Sequence, residues 1–191
     1  REINMLGYNN DFVIYDQDDS KSLIRGVIRD MQLDEKTFVP KAIQGHISKY
    51  KNQMVEPQLL LKTAVGFFDE KLSEIYELYQ NSLKDNNALD FDDLLLKPLE
   101  LFNKHPKRLE YYQRKYLYVL VDEYQDTNRP QFELVYNLSR EHRDVCVVGD
   151  DDQSIYSWRG ADINNILNFS EAFGESCIIK LEQNYRSTQN I

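Results

Sequence analysis

The sequence predicts an α/β fold, a parallel sheet flanked by helices, with a mainly helical subdomain ahead of it. Three observations predict this. Short apolar runs rich in β-branched or aromatic residues recur at 117–121 (LYVLV), 145–148 (VCVV) and 177–181 (CIIKL), the look of strands buried on both faces. One helical pattern lies between each run and the next, which implies right-handed crossovers and parallel pairing. Residues 1–88 read instead as amphipathic helices with irregular joints.

Taken in order, residues 20–31 place Leu23, Ile24, Val27, Ile28 and Met31 at helical spacing behind Ser20 as a cap. Pro57 suits a first turn, and apolar positions from Leu60 to Tyr79 predict one long helix over 57–84. Between these, 36–55 contains no acid but holds Lys36, Lys41, His46, Lys49 and Lys51, a solvated basic face or a phosphate-contacting one. After the 117–121 strand, Asn128, Arg129 and Pro130 open a helix carrying Phe132, Leu134, Val135 and Leu138. The 145–148 strand ends at Gly149, a helix is predicted over 162–173, and the 177–181 strand closes the pattern.

The 191 residues, 41% hydrophobic and 29% charged, suffice for one large domain or two small ones burying roughly 70% of the unfolded surface. That composition argues against disorder. The net charge of −9 argues against the usual basic footprint of a nucleic-acid binder. Cys146 and Cys177 sit in apolar strand-like runs and read as reduced core thiols of a cytoplasmic protein. No apolar run approaches the roughly 20 residues that span a bilayer, so no membrane partner is expected. The chain opens on Arg1 and reads as a piece of something longer.

Ligands of such a sheet bind beyond the carboxyl ends of its strands, where the sequence concentrates its polar residues. The first end is Asp122-Glu123-Tyr124-Gln125-Asp126. Two acids directly after an apolar strand need a compensating cation, and a nucleotide-bound Mg2+ supplies one; a helix N-terminus attracting acids is the other reading. The second end runs from Gly149 through Asp150, Asp151, Asp152 and Gln153 to Tyr156, Trp158 and Arg159. On an extended segment Tyr156 and Trp158 project to one side, as base stacking requires; a lone Trp is equally a core residue. The third end, Glu182-Gln183-Asn184-Tyr185-Arg186, offers a planar guanidinium for developing phosphoryl charge and a Tyr for an adenine, or simple surface solvation.

Together these blocks resemble the motor core of superfamily-one DNA helicases of the PcrA, UvrD and Rep type. VDEYQDTN at 121–128 looks like the family's Walker B motif, GDDDQSIYSWRGAD at 149–162 like its motif III, and LEQNYRST at 181–188 like motif IV. DFDDLL at 90–95 resembles the segment that re-enters the first motor domain after a helical insertion. The resemblance implies a partial RecA-like sheet, with 1–88 as the helical insertion and its flanking segment, 89–182 in the first motor domain and 183–191 opening the second. It also implies roles. Asp122 would hold Mg2+, Glu123 would be the general base, and Gln153 would sense the γ-phosphate. Tyr156 and Trp158 would stack on bases with Arg159 beside them, Arg186 would be the arginine finger, and Tyr185 would pack on adenine. ATP and Mg2+ are the implied cofactors. Single-stranded DNA, single/double-strand junctions and repair or replication proteins are the implied partners.

No glycine is followed by Lys, so the chain lacks a Walker A loop and by itself is expected to hydrolyse no ATP. The implied parent activity is an ATP-driven 3′ to 5′ translocase that separates duplex DNA. Alternatives are the helicase subunit of a recombination helicase-nuclease, a DNA-binding or partner-docking module, and a nuclease using Asp122, Glu123 and Asp126, which leaves Gln153 and Tyr-Ser-Trp-Arg unexplained. The acid-free stretch suggests that Lys41, Lys49 and Lys51 touch duplex phosphates.

Overall fold

A computed structural model describes residues 2–188 and 190, except the Arg159 side chain. A 3-10 turn at Ile3–Leu6 leads to the short strand β1 (Val13–Ile14) and then to α1 (Gln17–Asp30). The helix begins three residues before the expected Ser20 cap because Asp16 and Asp19 form a reciprocal capping box. Next come α2 (Pro40–Asn52), α3 (Pro57–Thr63) and α4 (Phe67–Asp85). The predicted continuous helix over 57–84 is broken. Gly66, at φ 90°, caps α4 and turns the chain so that α3 folds back along it. Ser73 Oγ then donates to Pro57 O at 2.7 Å across that turn.

These four helices share one core. Ile24 and Ile28 of α1, Ile43 and Ile47 of α2, Leu60 of α3 and Leu72, Ile75 and Tyr79 of α4 are all buried in it. Strand β2 (Ala88–Leu89) then pairs in parallel with β1, in register Val13↔Ala88 and Ile14↔Leu89. The helical unit thus leaves and returns through adjacent strands, on a base completed by α5 (Asp93–Lys104), α6 (Pro106–Lys115) and a second small core of Leu6, Tyr8, Leu89 and Leu101.

Strands β3 (Val119–Val121) and β4 (Val145–Val147) pair in parallel, connected by α7 (Arg129–Ser139), as strands separated by one helix should. Their expected burial on both faces is corrected: Leu120 is 76% exposed and Cys146 is exposed, because among the described residues this sheet has two strands and α7 packs on one side. Cys146 and Cys177 are therefore exposed free thiols, not core residues. Residues 162–173 form two short helices, α8 (Asn164–Leu167) and α9 (Phe169–Phe173), not one. The third run, 177–181, is no strand: Ile178, Ile179 and Leu181 are exposed, with no ladder partner among the described residues. Apolar, β-branched composition favours an extended chain, but a strand exists only where a neighbour satisfies its backbone. Among the described residues no helix is long and apolar enough to cross a membrane.

Candidate nucleotide and DNA site

The parallel pairing of β3 and β4 brings two polar loops off the same sheet edge. Val148 N donates to Val121 O at 2.8 Å and Tyr124 N to Val148 O at 3.0 Å, so the loops stay joined past the last ladder residue. Asp122 and Glu123 stand exposed at the end of β3. Glu123 takes a left-handed backbone, φ 52°, before the 3-10 turn Tyr124–Asp126, and its amide donates to Asp122 Oδ1 at 2.9 Å. That conformation is uncommon outside glycine and turns the strand sharply toward β4.

Behind the acids the loop is buried. Tyr124 is fully buried, its ring edge-on to Phe169, and burial pushes its hydroxyl up to about 12. Gln125 is likewise buried, Nε2 donating to Glu123 Oε2 at 2.8 Å and Oε1 accepting from Asp150 N at 3.1 Å. Asp150 caps the 3-10 turn Asp151–Gln153 by accepting from Asp152 N, and its other oxygen accepts from Gln153 Nε2 at 2.6 Å. The acids of the first loop and the amide of the second thus belong to one hydrogen-bonded unit.

An all-oxygen donor set suits a hard cation, and Mg2+ characteristically takes one or two carboxylates while keeping waters and phosphate oxygens. Asp122, exposed at the end of β3, fits that pattern, and Asp126 Oδ1 is a buried oxygen without a hydrogen-bond partner among the described residues. Among the described residues, no three or more His, Cys, Asp or Glu side chains converge on one metal position.

Ser157–Arg159 is a turn of 3-10 helix, not an extended segment. The Tyr156 and Trp158 rings nevertheless lie 6.3 Å apart at 50°, with Trp158 73% exposed. The Arg159 side chain lies outside the described residues. Gly160, at φ 87°, ends the turn against Asn52 of α2: a Cβ there would stand 3.3 Å from Asn52 Cβ. Asn52 also accepts from Asn128 Nδ2 at 2.6 Å and donates to Asp92 Oδ1 at 3.1 Å, tying α2 to the start of α7 and to the 90–95 segment. Asn52 carries no sequence signal, since a helix-terminal Asn is ordinary.

Tyr185 and Arg186 are exposed, in a stretch without regular structure, and Arg186 forms no ion pair among the described residues. Arg186 N donates to Asn184 Oδ1 at 2.9 Å within its own loop. Lys41 and Lys49 are exposed on α2. Lys51 is not, which corrects its assignment to phosphate contact. Its side chain is fully buried, Nζ lying 2.6 Å from Asp90 Oδ2 and 3.0 Å from Asp93 Oδ1. A buried ammonium needs such partners, and having them it is lost to DNA.

Comparison with known proteins accounts for the arrangement. Residues 1–174 match the UvrD/REP helicase N-terminal domain. Over all 191 residues the chain is 49% identical to the ATP-dependent DNA helicase PcrA of Bacillus subtilis strain 168, and 46% identical to that of Staphylococcus aureus strain COL. A Staphylococcus epidermidis PcrA is 47% identical over the same span. The chain is covered completely in each case but spans about a quarter, 26%, of each relative's length. With the Walker B-like and motif III-like loops on one sheet edge and the match running from the first residue to 174, the chain belongs to the UvrD/REP helicase family.

Proposed function

We propose that the protein carrying this chain is an ATP-dependent DNA helicase that moves 3′ to 5′ along single-stranded DNA and separates duplex ahead of it. The observation that carries this reading is the joining of the Asp122-Glu123 and Gln153-to-Trp158 loops at one edge of a parallel pair. Hydrolysis and strand movement need such adjacency, because a change at the phosphate must reach the stacked bases. Residues 1–88 form the inserted subdomain, 89–182 belong to the first motor domain, and 183–191 open the second. The helical unit that leaves and returns through β1 and β2 supports that division.

Bound MgATP supplies the phosphoryl group and its charge. Asp122 would hold the Mg2+ that accompanies the nucleotide, and Glu123 takes the proton of the attacking water as general base. Gln153 senses the γ-phosphate. Arg186 neutralises charge developing on the transferred group and Tyr185 packs on adenine, once the second motor domain carries them across the cleft. Tyr156 and Trp158 stack on bases, contributing roughly 1–3 kcal/mol per base, with Arg159 beside them. Lys41 and Lys49 contact duplex phosphates at single/double-strand junctions. The protein acts in the cytoplasm with repair or replication proteins as partners.

The test is steady-state ATP hydrolysis by the full-length protein with and without single-stranded DNA, followed by unwinding of duplexes carrying a 3′ or a 5′ tail. DNA-stimulated turnover and preference for the 3′ tail are expected. Absence of stimulation overturns the reading, and preference for the 5′ tail overturns its polarity. The 191-residue chain alone, without a Gly-Lys pair, is expected to show no turnover.

A further inference from the structure

Gln125 has no role in the chemistry above, yet it is 1% exposed and lies between the two loops. We propose that Gln125 is a positioning residue that ties the Glu123 carboxylate to the Gln153 loop, so that the DNA-side loop sets where the general base stands. The inference rests on the helicase reading and deepens it.

A buried amide must satisfy both ends within the protein. Here the ends go to different motifs, Nε2 donating to Glu123 Oε2 at 2.8 Å and Oε1 accepting from Asp150 N at 3.1 Å. Chemistry fixes that orientation. Flipped, the amide would set its oxygen against a carboxylate and its N–H against a backbone N–H, two repulsive contacts in place of two bonds. From Asp150 the connection continues to Gln153 Nε2 at 2.6 Å. Glu123, Gln125, Asp150 and Gln153 therefore touch in sequence through direct contacts. Glu123 has few other restraints: it is exposed, lies outside the strand, and sits at φ 52°.

Gly149 protects the link. Its backbone conformation does not demand glycine, but a Cβ there would lie 2.6 Å from Gln125 Oε1 and 2.8 Å from Ile166 Cδ1. The backbone must approach this closely for the Asp150 amide to reach Gln125, and any side chain would wedge the contact open.

The experiment uses the full-length protein and measures ATP turnover with and without single-stranded DNA for wild type, Gln125→Leu, Gln125→Glu, Gly149→Ala, Gln153→Ala and the Gln125→Leu/Gln153→Ala double variant. Gln125→Leu and Gly149→Ala are expected to lower DNA-stimulated kcat about tenfold or more, with KM for ATP within about twofold, because one charge-assisted bond that orients the base is lost. The double variant is expected to be no slower than its slower single parent, since both changes cut one connection. Gln125→Glu keeps shape and the acceptor for Asp150 N but sets a second carboxylate beside Glu123. It therefore breaks the bond to Glu123 and keeps the one to Asp150, and should lower DNA-stimulated kcat as Gln125→Leu does, with KM for ATP again within about twofold, a split that a general loss of packing would not produce. Should Gln125→Leu fail to fold, Gln125→Glu and Gly149→Ala decide the matter by the same split of kcat from KM. Undiminished DNA stimulation in the Gln125 variants, or multiplied losses in the double, overturns the proposal while leaving the helicase reading intact; a wild type without DNA-stimulated turnover overturns both.

Discussion

Replacing Lys51 with methionine keeps most of the side chain's volume and removes the ammonium that lies between two buried carboxylates. The Lys51 side chain is 0% exposed, and those of Asp90 and Asp93 are 11% and 1% exposed. Tyr79 adds a hydrogen bond to the same Asp90 oxygen at 2.9 Å, and burial with the Asp90 charge holds its hydroxyl far above the usual phenol range. Nothing else among these contacts neutralises the acids. Breaking a buried pair by deleting one partner costs about 3–5 kcal/mol, because the remaining charge stays desolvated. For a chain of this size, at about 2–4 °C per kcal/mol, the melting midpoint of Lys51→Met should fall by about 6–20 °C. Lys41→Met and Lys49→Met, at exposed positions on the same helix, should stay within about 0.5 kcal/mol. Thermal and urea unfolding followed by circular dichroism measure the midpoint and the free energy of all three. If Lys51→Met proves as stable as the other two, the burial argument fails; if it also lowers the salt dependence of DNA binding, Lys51 is a phosphate contact after all.

The two acids should respond oppositely to neutralisation. Burial opposes ionisation of Asp90, but the Lys51 charge and hydrogen bonds from Lys51, the Asp93 amide and Tyr79 outweigh it and hold the carboxyl below its ordinary range. Its stabilising contribution is present above the unfolded pKa of about 3.9 and lost as pH falls through the lower folded value, so Asp90→Asn should destabilise at pH 7 and flatten the acid-side decline. Burial, reinforced by the Asp90 charge, prevails over Lys51 at Asp93 and raises it. Its contribution is present below the unfolded pKa and lost as pH rises through the higher folded one, so Asp93→Asn should cost less than Asp90→Asn at pH 7, with the gap closing toward pH 4; equal costs at both pH values would refute this. Trp158, the single Trp of these 191 residues and 73% exposed, should contribute emission that single-stranded DNA quenches in the full-length protein and that is missing in Trp158→Ala, which should also weaken DNA-stimulated turnover; quenching unchanged in Trp158→Ala removes the stacking role. Substituting Lys41 and Lys49 together should lower the salt slope of junction binding by up to about 2, and an unchanged slope leaves them as surface solvation. Asn52→Ala deprives Asn128 and Asp92 of a partner and should cost about 1–3 kcal/mol in thermal unfolding; a neutral result would show that α2 is held to α7 by packing alone.

Local pattern carried α1, α7 and the strands β3 and β4. Amphipathic spacing marked α1, and the β-branched runs marked β3 and β4 with a helix between, because burial period and propensity are properties of neighbouring residues. Gly66 was visible as a residue but not as a break, since turning at φ 90° depends on what α3 can fold back against. The 177–181 run shows the opposite failure: it has the composition of a strand and no neighbour to pair with among the described residues. In the site, Asp122, Glu123, Gln153, Tyr156 and Trp158 stood out because polar and aromatic residues beyond strand ends have few structural excuses. Gln125 and Asn52 did not, because an amide's importance lies in who holds its two ends.

Charge drew the same boundary. The acid-free stretch from 36 to 55 made Lys41, Lys49 and Lys51 equivalent in sequence, and the fold separated them: helical phase leaves Lys41 and Lys49 at the surface and turns Lys51 inward onto Asp90 and Asp93, thirty-nine and more positions along. Residue type and spacing determine which chemistry a chain can supply and which segments will be helix or strand. Which charges meet each other, which backbone needs a glycine at 149, and which amide joins two loops depend on contacts between residues distant in sequence, whose desolvation and hydrogen bonding exist only once the chain has folded.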